Sequence, residues 1–351
     1  MPARAGPDTP RRTVALLATG GTIASVATAA GGSAAELSPQ HLLDGMGGWD
    51  DVRVEPVVEV ARVNSWDVDP RLMWTIAARI DELAAAPSVD GVVVTHGTDA
   101  IEETAFVADI ITRTPKPVVF VGAMRAADAL SADGPGNLRT AVLAAADPAM
   151  VDAGVAVCLG GELHAARWVR KVHSYRLDAM ASPGHAPLAT TAPNGKPLGV
   201  ELLRPRRWAV DWAIDDVDVD LPLVAAYPGM PVDLLRVAVQ VTAGRGLVLE
   251  GFGAGHVPAC VLPAVRELIN AGVVVVVATR VLGGGTWPLY AGPGGGVELQ
   301  RAGVLAAGDL SAGKARLLLM ACLAGADART AGARFVRAVQ VLSPRRSEGD
   351  A

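Results

Sequence analysis

The sequence predicts an α/β protein of two domains, a larger N-terminal domain with a mainly parallel sheet and a smaller C-terminal α/β domain. Three observations carry that prediction. Short apolar runs rich in valine alternate with longer stretches of helical periodicity, the order that lays parallel strands beneath crossover helices. At 351 residues the chain exceeds what one ordinary hydrophobic core holds. An acidic, proline-bounded stretch at 211–223, "DWAIDDVDVDLPL", interrupts the alternation and reads as a connection. The expected organisation is therefore a domain over 12–210, a linker over 211–232 and a domain over 233–342.

Taken in order, the first strand is Val14–Ala18, punctuated by Gly20-Gly21. Strands are expected at Arg53–Ala61, Gly91–Thr95, Val118–Gly122 and Val155–Leu159, with helices at Pro70–Ala85, Asp99–Thr112 and Gly136–Ala146 between them. In the second domain the pattern gives strands at Leu235–Val241, Gly246–Glu250 and Val273–Ala278. Its helices are expected near Pro258–Ala271, Ala312–Ala324 and Ala328–Val341. Two long runs of small residues, 23–37 and 283–296, follow strand ends, where lids and binding loops are commonly found.

Composition narrows the function. With 51% hydrophobic and 19% charged residues the chain builds a packed core rather than a disordered one. A net charge of -5, with no Lys/Arg block longer than two residues, argues against a nucleic-acid partner. Cys158, Cys260 and Cys322 lack any C-x-x-C spacing and read as core thiols, and the six histidines lack metal-ligand spacing, so no metal is expected. Apolar runs such as Val273–Ala278 are far too short to span a bilayer, so no membrane partner is expected. No apolar signal region precedes the first strand, and the expected compartment is the cytoplasm.

Three stretches hold candidate chemistry. In "ATGGTIAS", residues 18–25, a buried strand stops at two glycines and Thr22 follows. Ligands of open α/β sheets bind beyond the carboxyl ends of the strands, so Thr22 is either a turn residue or a hydroxyl presented to a crevice. In "GVVVTHGTDAIEETAF", residues 91–106, another strand ends and Thr98-Asp99 open a helix. Asp99 with Glu102 fits a capping box, and Glu102-Glu103 suit a helix N-terminus. A functional reading instead puts Thr98 and Asp99 at a second strand end beside Thr22, and both readings can hold.

The third stretch, "RWVRKVHSYRLDAMASP" at 167–183, carries Lys171. An isolated lysine is usually solvated. The chain has four, however: Lys116 sits between prolines, Lys196 follows an Asn-Gly turn and Lys314 lies at a helix start. If a lysine works in a site it is Lys171, because an amine desolvated in a crevice can act as a neutral base toward a hydroxyl. No G-x-S-x-G elbow or phosphate-binding G-x-x-x-x-G-K-[ST] loop is present. "LEGFGAGHVPA", 249–259, has His256 where a dinucleotide fingerprint needs its third glycine, and reads as a tight turn or an oligomer contact.

Together "TGGTIAS", "THGTDAIEET", "KPVVFVGAMRAADALSADGPGNL" and "GHVP", in that order between about residues 13 and 341, resemble the bacterial-type L-asparaginase/glutaminase family. The resemblance implies hydrolysis of the side-chain amide of L-asparagine to L-aspartate and ammonia, without a cofactor. It also implies a homotetramer, a dimer of dimers, whose sites combine the N-terminal domain of one subunit with the C-terminal domain of its neighbour. Carried over by position, Thr22 matches the family's nucleophile, while Thr98, Asp99 and Lys171 match its second threonine, substrate-binding aspartate and lysine. Ser65 in "VNSWD" matches a serine that contacts the substrate carboxylate, and Trp66 stands where glutamine is frequent.

Two departures stand out. Residues 23–40 contain no tyrosine, although many members carry one in the lid there. The neighbouring subunit's asparagine and glutamate, which grip the substrate amine, align near His256 and Tyr290-Ala291. The same fold would also suit an amidase for glutamine or a protein-linked amide, or a catalytically weak amino-acid-binding protein.

Overall fold

The computed structural model describes residues 11–44, 52–192, 197–198, 209–214, 217, 220–242 and 244–342. The chain divides into two compact units, Met1–Arg207 and Trp208–Ala351. Among the described residues no helix is long and apolar enough to cross a membrane.

Unit 1 begins with β1 (Arg12–Gly20), whose last seven residues are buried. A single 3-10 turn, Thr22–Ala24, leads into a hairpin of β2 (Ser25–Ala27) and β3 (Ser33–Ala35). The expected loop of small residues is thus partly an ordered hairpin, tied down where Ala127 N–H donates to Ser25 O and Ala27 N–H to Asp128 Oδ2, both at 2.8 Å. Next come α1 (Pro39–Asp44), β4 (Val52–Val63) and α2 (Pro70–Ala85). Asp69 caps α2 by accepting from Leu72 N–H, and Pro70 occupies the first turn, where its missing donor costs nothing. The alternation continues through β5 (Gly91–Thr95), α3 (Ile101–Ile111), β6 (Val118–Val121), α4 (Gly134–Ala145) and β7 (Val155–Leu159). Shorter strands finish the unit: β8 (Glu162–Ala165), β9 (Arg170–Lys171), β10 (Met180–Ala181), β11 (Ala189–Thr191) and β12 (Pro197–Leu198).

Eight of these strands form one sheet in the order β12-β11-β8-β7-β6-β5-β1-β4. The ladders from β4 through β7 are parallel, and β8, β11 and β12 extend the sheet antiparallel. The parallel strands read as unbroken apolar runs because both of their faces are covered: β5, β6 and β7 are buried at every residue. From β1 the chain goes to β4 on one side and then to β5 on the other, so the topological switch point lies at β1. Ligands of doubly wound sheets bind outside the carboxyl ends of the strands at such a point.

Unit 2 holds a four-stranded sheet, all parallel, in chain order: β13 (Leu223–Ala225), β14 (Gly246–Gly251), β15 (Val274–Thr279) and β16 (Leu305–Ala306). Its helices are α5 (Asp233–Gln240), α6 (Leu262–Asn270), α7 (Gly296–Arg301), α8 (Ala312–Leu323) and α9 (Ala328–Leu342). Helix α8 is buried over most of its circumference, with Ser311 capping it through Lys314 N–H. Three sequence expectations are corrected. Cys260, expected as a core thiol, is exposed, while Cys158 and Cys322 are buried. Residues 235–240 belong to helix α5 and Val241 is its C-cap, because Leu234, Leu235, Ala238 and Val239 make one face against the core while Val237 stays half exposed; the alternation at 235, 237, 239 and 241 imitated a strand. Strand β13 lies within the stretch read as linker and pairs with β14.

Candidate active site

The turns after β1, β4 and β5 are packed against one another. Gly21 has φ 84° and ψ -179°, a conformation open to glycine alone, and its N–H donates to Val63 O at the end of β4 (3.2 Å). A Cβ on Gly21 would collide with the backbone of Gly97, beyond β5. A Cβ on Gly97 would in turn lie 2.7 Å from Ser65 Oγ, in the turn after β4. Two glycines in "TGGT" and "THGT" therefore let three chain segments close on one place, with Thr22 and Thr98 each one residue beyond a contact glycine. Thr22 is half-buried and Thr98 nearly closed off.

Lys171 is brought to the same place by β9, paired with β10 through Met180. Its Nζ donates to Thr98 Oγ1 at 2.8 Å and to Asp99 Oδ1 at 2.6 Å. Ser65 is buried, and its Oγ accepts the Asp99 N–H at 3.1 Å. Four of the sequence candidates, Ser65, Thr98, Asp99 and Lys171, thus form one hydrogen-bonded cluster, and Thr22 stands beside it through the Gly21–Gly97 contact.

Trp66 projects into solvent with 70% exposure. His256 and Tyr290 belong to unit 2, where their rings meet edge to face at 5.0 Å. There the His256 and Phe252 backbones pair across a three-residue turn, with Phe252 N–H donating to His256 O at 2.7 Å and His256 N–H to Phe252 O at 2.8 Å. This is the tight-turn geometry of "GFGAGH".

The capping box expected from Asp99 and Glu102 does not form. The N-cap of α3 is Ala100, with no side-chain cap bond, and Asp99 is turned instead to Lys171. Glu102 was legible only as a helix-start acid, yet it is buried and faces the same segment: Oε2 accepts Lys171 N–H at 2.6 Å and Oε1 pairs with Arg170 Nε at 3.2 Å. The signal that finds it is an acid on the buried side of an apolar helix, a position that demands a partner. Beneath the turn, burial lowers the His96 imidazole to about 4, despite its Nδ1–H donating to Gly97 O at 2.8 Å. His96 is therefore neutral at neutral pH and adds no charge under Thr98.

A hydroxyl held against an amine, a carboxylate on that amine and a second threonine at the switch point suit acyl transfer. The comparisons with known proteins point the same way. Residues 13–201 match the asparaginase N-terminal family model, and residues 220–334 match the glutaminase/asparaginase C-terminal domain. L-asparaginase 2 of Bacillus subtilis is 32% identical over 88% of this chain and 82% of its own length. A component of the glutamyl-tRNA(Gln) amidotransferase of Pyrobaculum aerophilum is 36% identical over 77% of this chain and 65% of its own length. The structure of the thermostable L-asparaginase from Thermococcus kodakarensis superposes with a TM-score of 0.83 at 28% identity, covering 95% of this chain and all of that one. On the two family models and these identities, the chain belongs to the asparaginase/glutaminase family.

Proposed function

We propose that this protein hydrolyses the side-chain amide of L-asparagine, giving L-aspartate and ammonia through an acyl-enzyme on Thr22. The observation that carries the reading is the Lys171 amine seated on both Thr98 Oγ1 and Asp99 Oδ1. In the first half-reaction Thr22 Oγ adds to the amide carbon, and the Thr98–Lys171 pair passes the hydroxyl proton to the amide nitrogen, which leaves as ammonia. In the second, water adds to the ester carbon and its proton returns through the same pair to Thr22 Oγ. Since the Asp99 N–H is engaged by Ser65, the remaining N–H groups of the Gly97–Thr98 turn serve the developing oxyanion. Ser65 and Asp99 anchor the α-carboxylate and α-amine.

The same reading puts His256 and Tyr290 in the site of a neighbouring copy within a homotetramer, and the enzyme in the cytoplasm. Asparagine should be preferred to glutamine by at least about tenfold in kcat/KM, since one methylene in a pocket is worth about 1–3 kcal/mol. A second reading, an amidase for glutamine or for a protein-linked amide, is favoured by the likeness to an amidotransferase component and by Ala291 where an amine-binding acid is expected.

Ammonia release from asparagine, glutamine and N-blocked asparagine tests the two. Preference for free asparagine supports the first reading; preference for a blocked or longer amide replaces it with the second. Thr22→Ala and Thr98→Ala should each lower turnover by at least about a thousandfold in a folded protein, as residues acting as one unit do, and near-wild-type release from either variant would refute the threonine assignment.

A further inference from the structure

We propose that Glu102 is a positioning residue for Lys171: its carboxylate fixes the lysine backbone, and thereby aims the amine at Thr98. The inference rests on the amidohydrolase reading of the same cluster. Lys171 lies on β9, a strand of two residues that, among the described residues, pairs only with the equally short β10 and belongs to neither main sheet. Across that ribbon Val172 N–H donates to Ala179 O at 2.8 Å. Lys171 N–H points the other way and meets Glu102 Oε2 at 2.6 Å. The second oxygen of Glu102 holds Arg170, so one carboxylate grips two consecutive residues.

Glu102 is itself fixed. It sits in the first turn of α3, a helix buried along nearly its whole length, one turn from Thr98 and Asp99 in sequence. The residue that accepts from the Lys171 backbone and the residues that accept from its side chain therefore share one rigid segment, 98–102. The lysine is held at both ends by the same piece of chain. Loss of the backbone grip frees β9 to shift, and a shift of about 1 Å at a reacting group costs on the order of a hundredfold in rate.

Three variants separate positioning from a merely structural role. Glu102→Ala removes both contacts, Glu102→Gln keeps an oxygen for Lys171 N–H, and Arg170→Met removes only the ion pair. With asparagine as substrate, Glu102→Ala should lose about a hundredfold in kcat while KM changes less than about threefold; Glu102→Gln and Arg170→Met should stay within about tenfold of wild type. An activity-independent readout is acetylation of Lys171 by an N-hydroxysuccinimide ester, followed by peptide mass in a chain with four lysines. Labelling should be about tenfold faster in Glu102→Ala and unchanged in Glu102→Gln, because an amine only 16% exposed and held on two acceptors meets the reagent less readily than one free to swing into solvent.

Loss of kcat in Glu102→Gln or Arg170→Met equal to that in Glu102→Ala would overturn the proposal. So would unchanged Lys171 labelling in Glu102→Ala. If the wild type released no ammonia from any amide, the functional reading would fail, and the labelling series alone would decide whether Glu102 holds Lys171.

Discussion

Lys171→Met separates the work of the site from the stability of the fold. Methionine keeps the apolar stem and removes the amine. What is lost is one bond to Thr98 Oγ1 at 2.8 Å and an ion pair to Asp99 at 2.6 Å. The Asp99 side chain is 48% exposed, so solvent screens that pair and it contributes no more than about 1 kcal/mol; the hydroxyl bond adds about another 1 kcal/mol. The variant should therefore unfold in urea within about 2 kcal/mol of wild type. The effect on turnover is much larger. A group that moves a proton in the transition state is worth about 10²–10⁴-fold, or about 3–5 kcal/mol of barrier. Ammonia release under saturating asparagine, read beside a urea melt of the same preparation, gives both numbers. Turnover within tenfold of wild type would return Lys171 to the role of a surface cation. An equal loss of stability and activity would show that the residue supports the fold instead.

Gly97→Ala should cost activity through crowding, since the new Cβ would stand 2.7 Å from Ser65 Oγ and force the turns apart; asparagine kinetics indistinguishable from wild type would refute the close approach. Asp109→Ala should destabilise unit 1 by about 3–5 kcal/mol, because Asp109 and Arg167 are both buried at 3.3 Å and Asp109 also accepts Val155 N–H; a urea-midpoint change equivalent to under about 1 kcal/mol would contradict this. His96 and His164 are each held neutral by burial, with values near 4 against 6.5 when unfolded. At His164 burial outweighs the half-exposed Glu162 carboxylate 3.3 Å away. Between those values the unfolded chain binds the extra protons. Stability is therefore full above pH 6.5 and should fall as pH drops toward 4, by up to about 1.4 kcal/mol per pH unit for each histidine; a flat urea midpoint across that window would refute it.

The parallel strands were legible because a strand buried on both faces leaves an unbroken apolar run, as "GVVVT" and "VVFV" do. Strands of two or three residues, such as β9 to β13, were not, since their pairing is decided by distant partners rather than by any local period. Helix α5 was misread because its apolar residues satisfy periods of two and of 3.6 at once, and the core selected the second. At the site, Thr22, Thr98, Asp99 and Lys171 came from the motifs and the resemblance. The place of Glu102 did not, because a local rule, the capping box, already accounted for it. The competing long-range partners on β9 are visible only once α3 and β9 stand side by side.

The switch point at β1 fixes more than where a ligand can enter. The turns that bear Thr22 and Thr98 hang from β1 and β5, adjacent strands locked in register from Val14–Gly91 to Ala18–Thr95. The spacing of those two strands is a lattice constant of the sheet, about 4.8 Å between hydrogen-bonded neighbours, and not a product of side-chain packing. A repacked helix or an altered lid leaves that ruler untouched. Gradual softening of the periphery on heating would likewise leave the two strand ends in step, and the gap between those ends would change only when the ladder itself parted. The distance between the two strand ends and the cooperativity of the sheet are then one quantity, while the turns beyond them keep their own determinant in the Gly21–Gly97 contact.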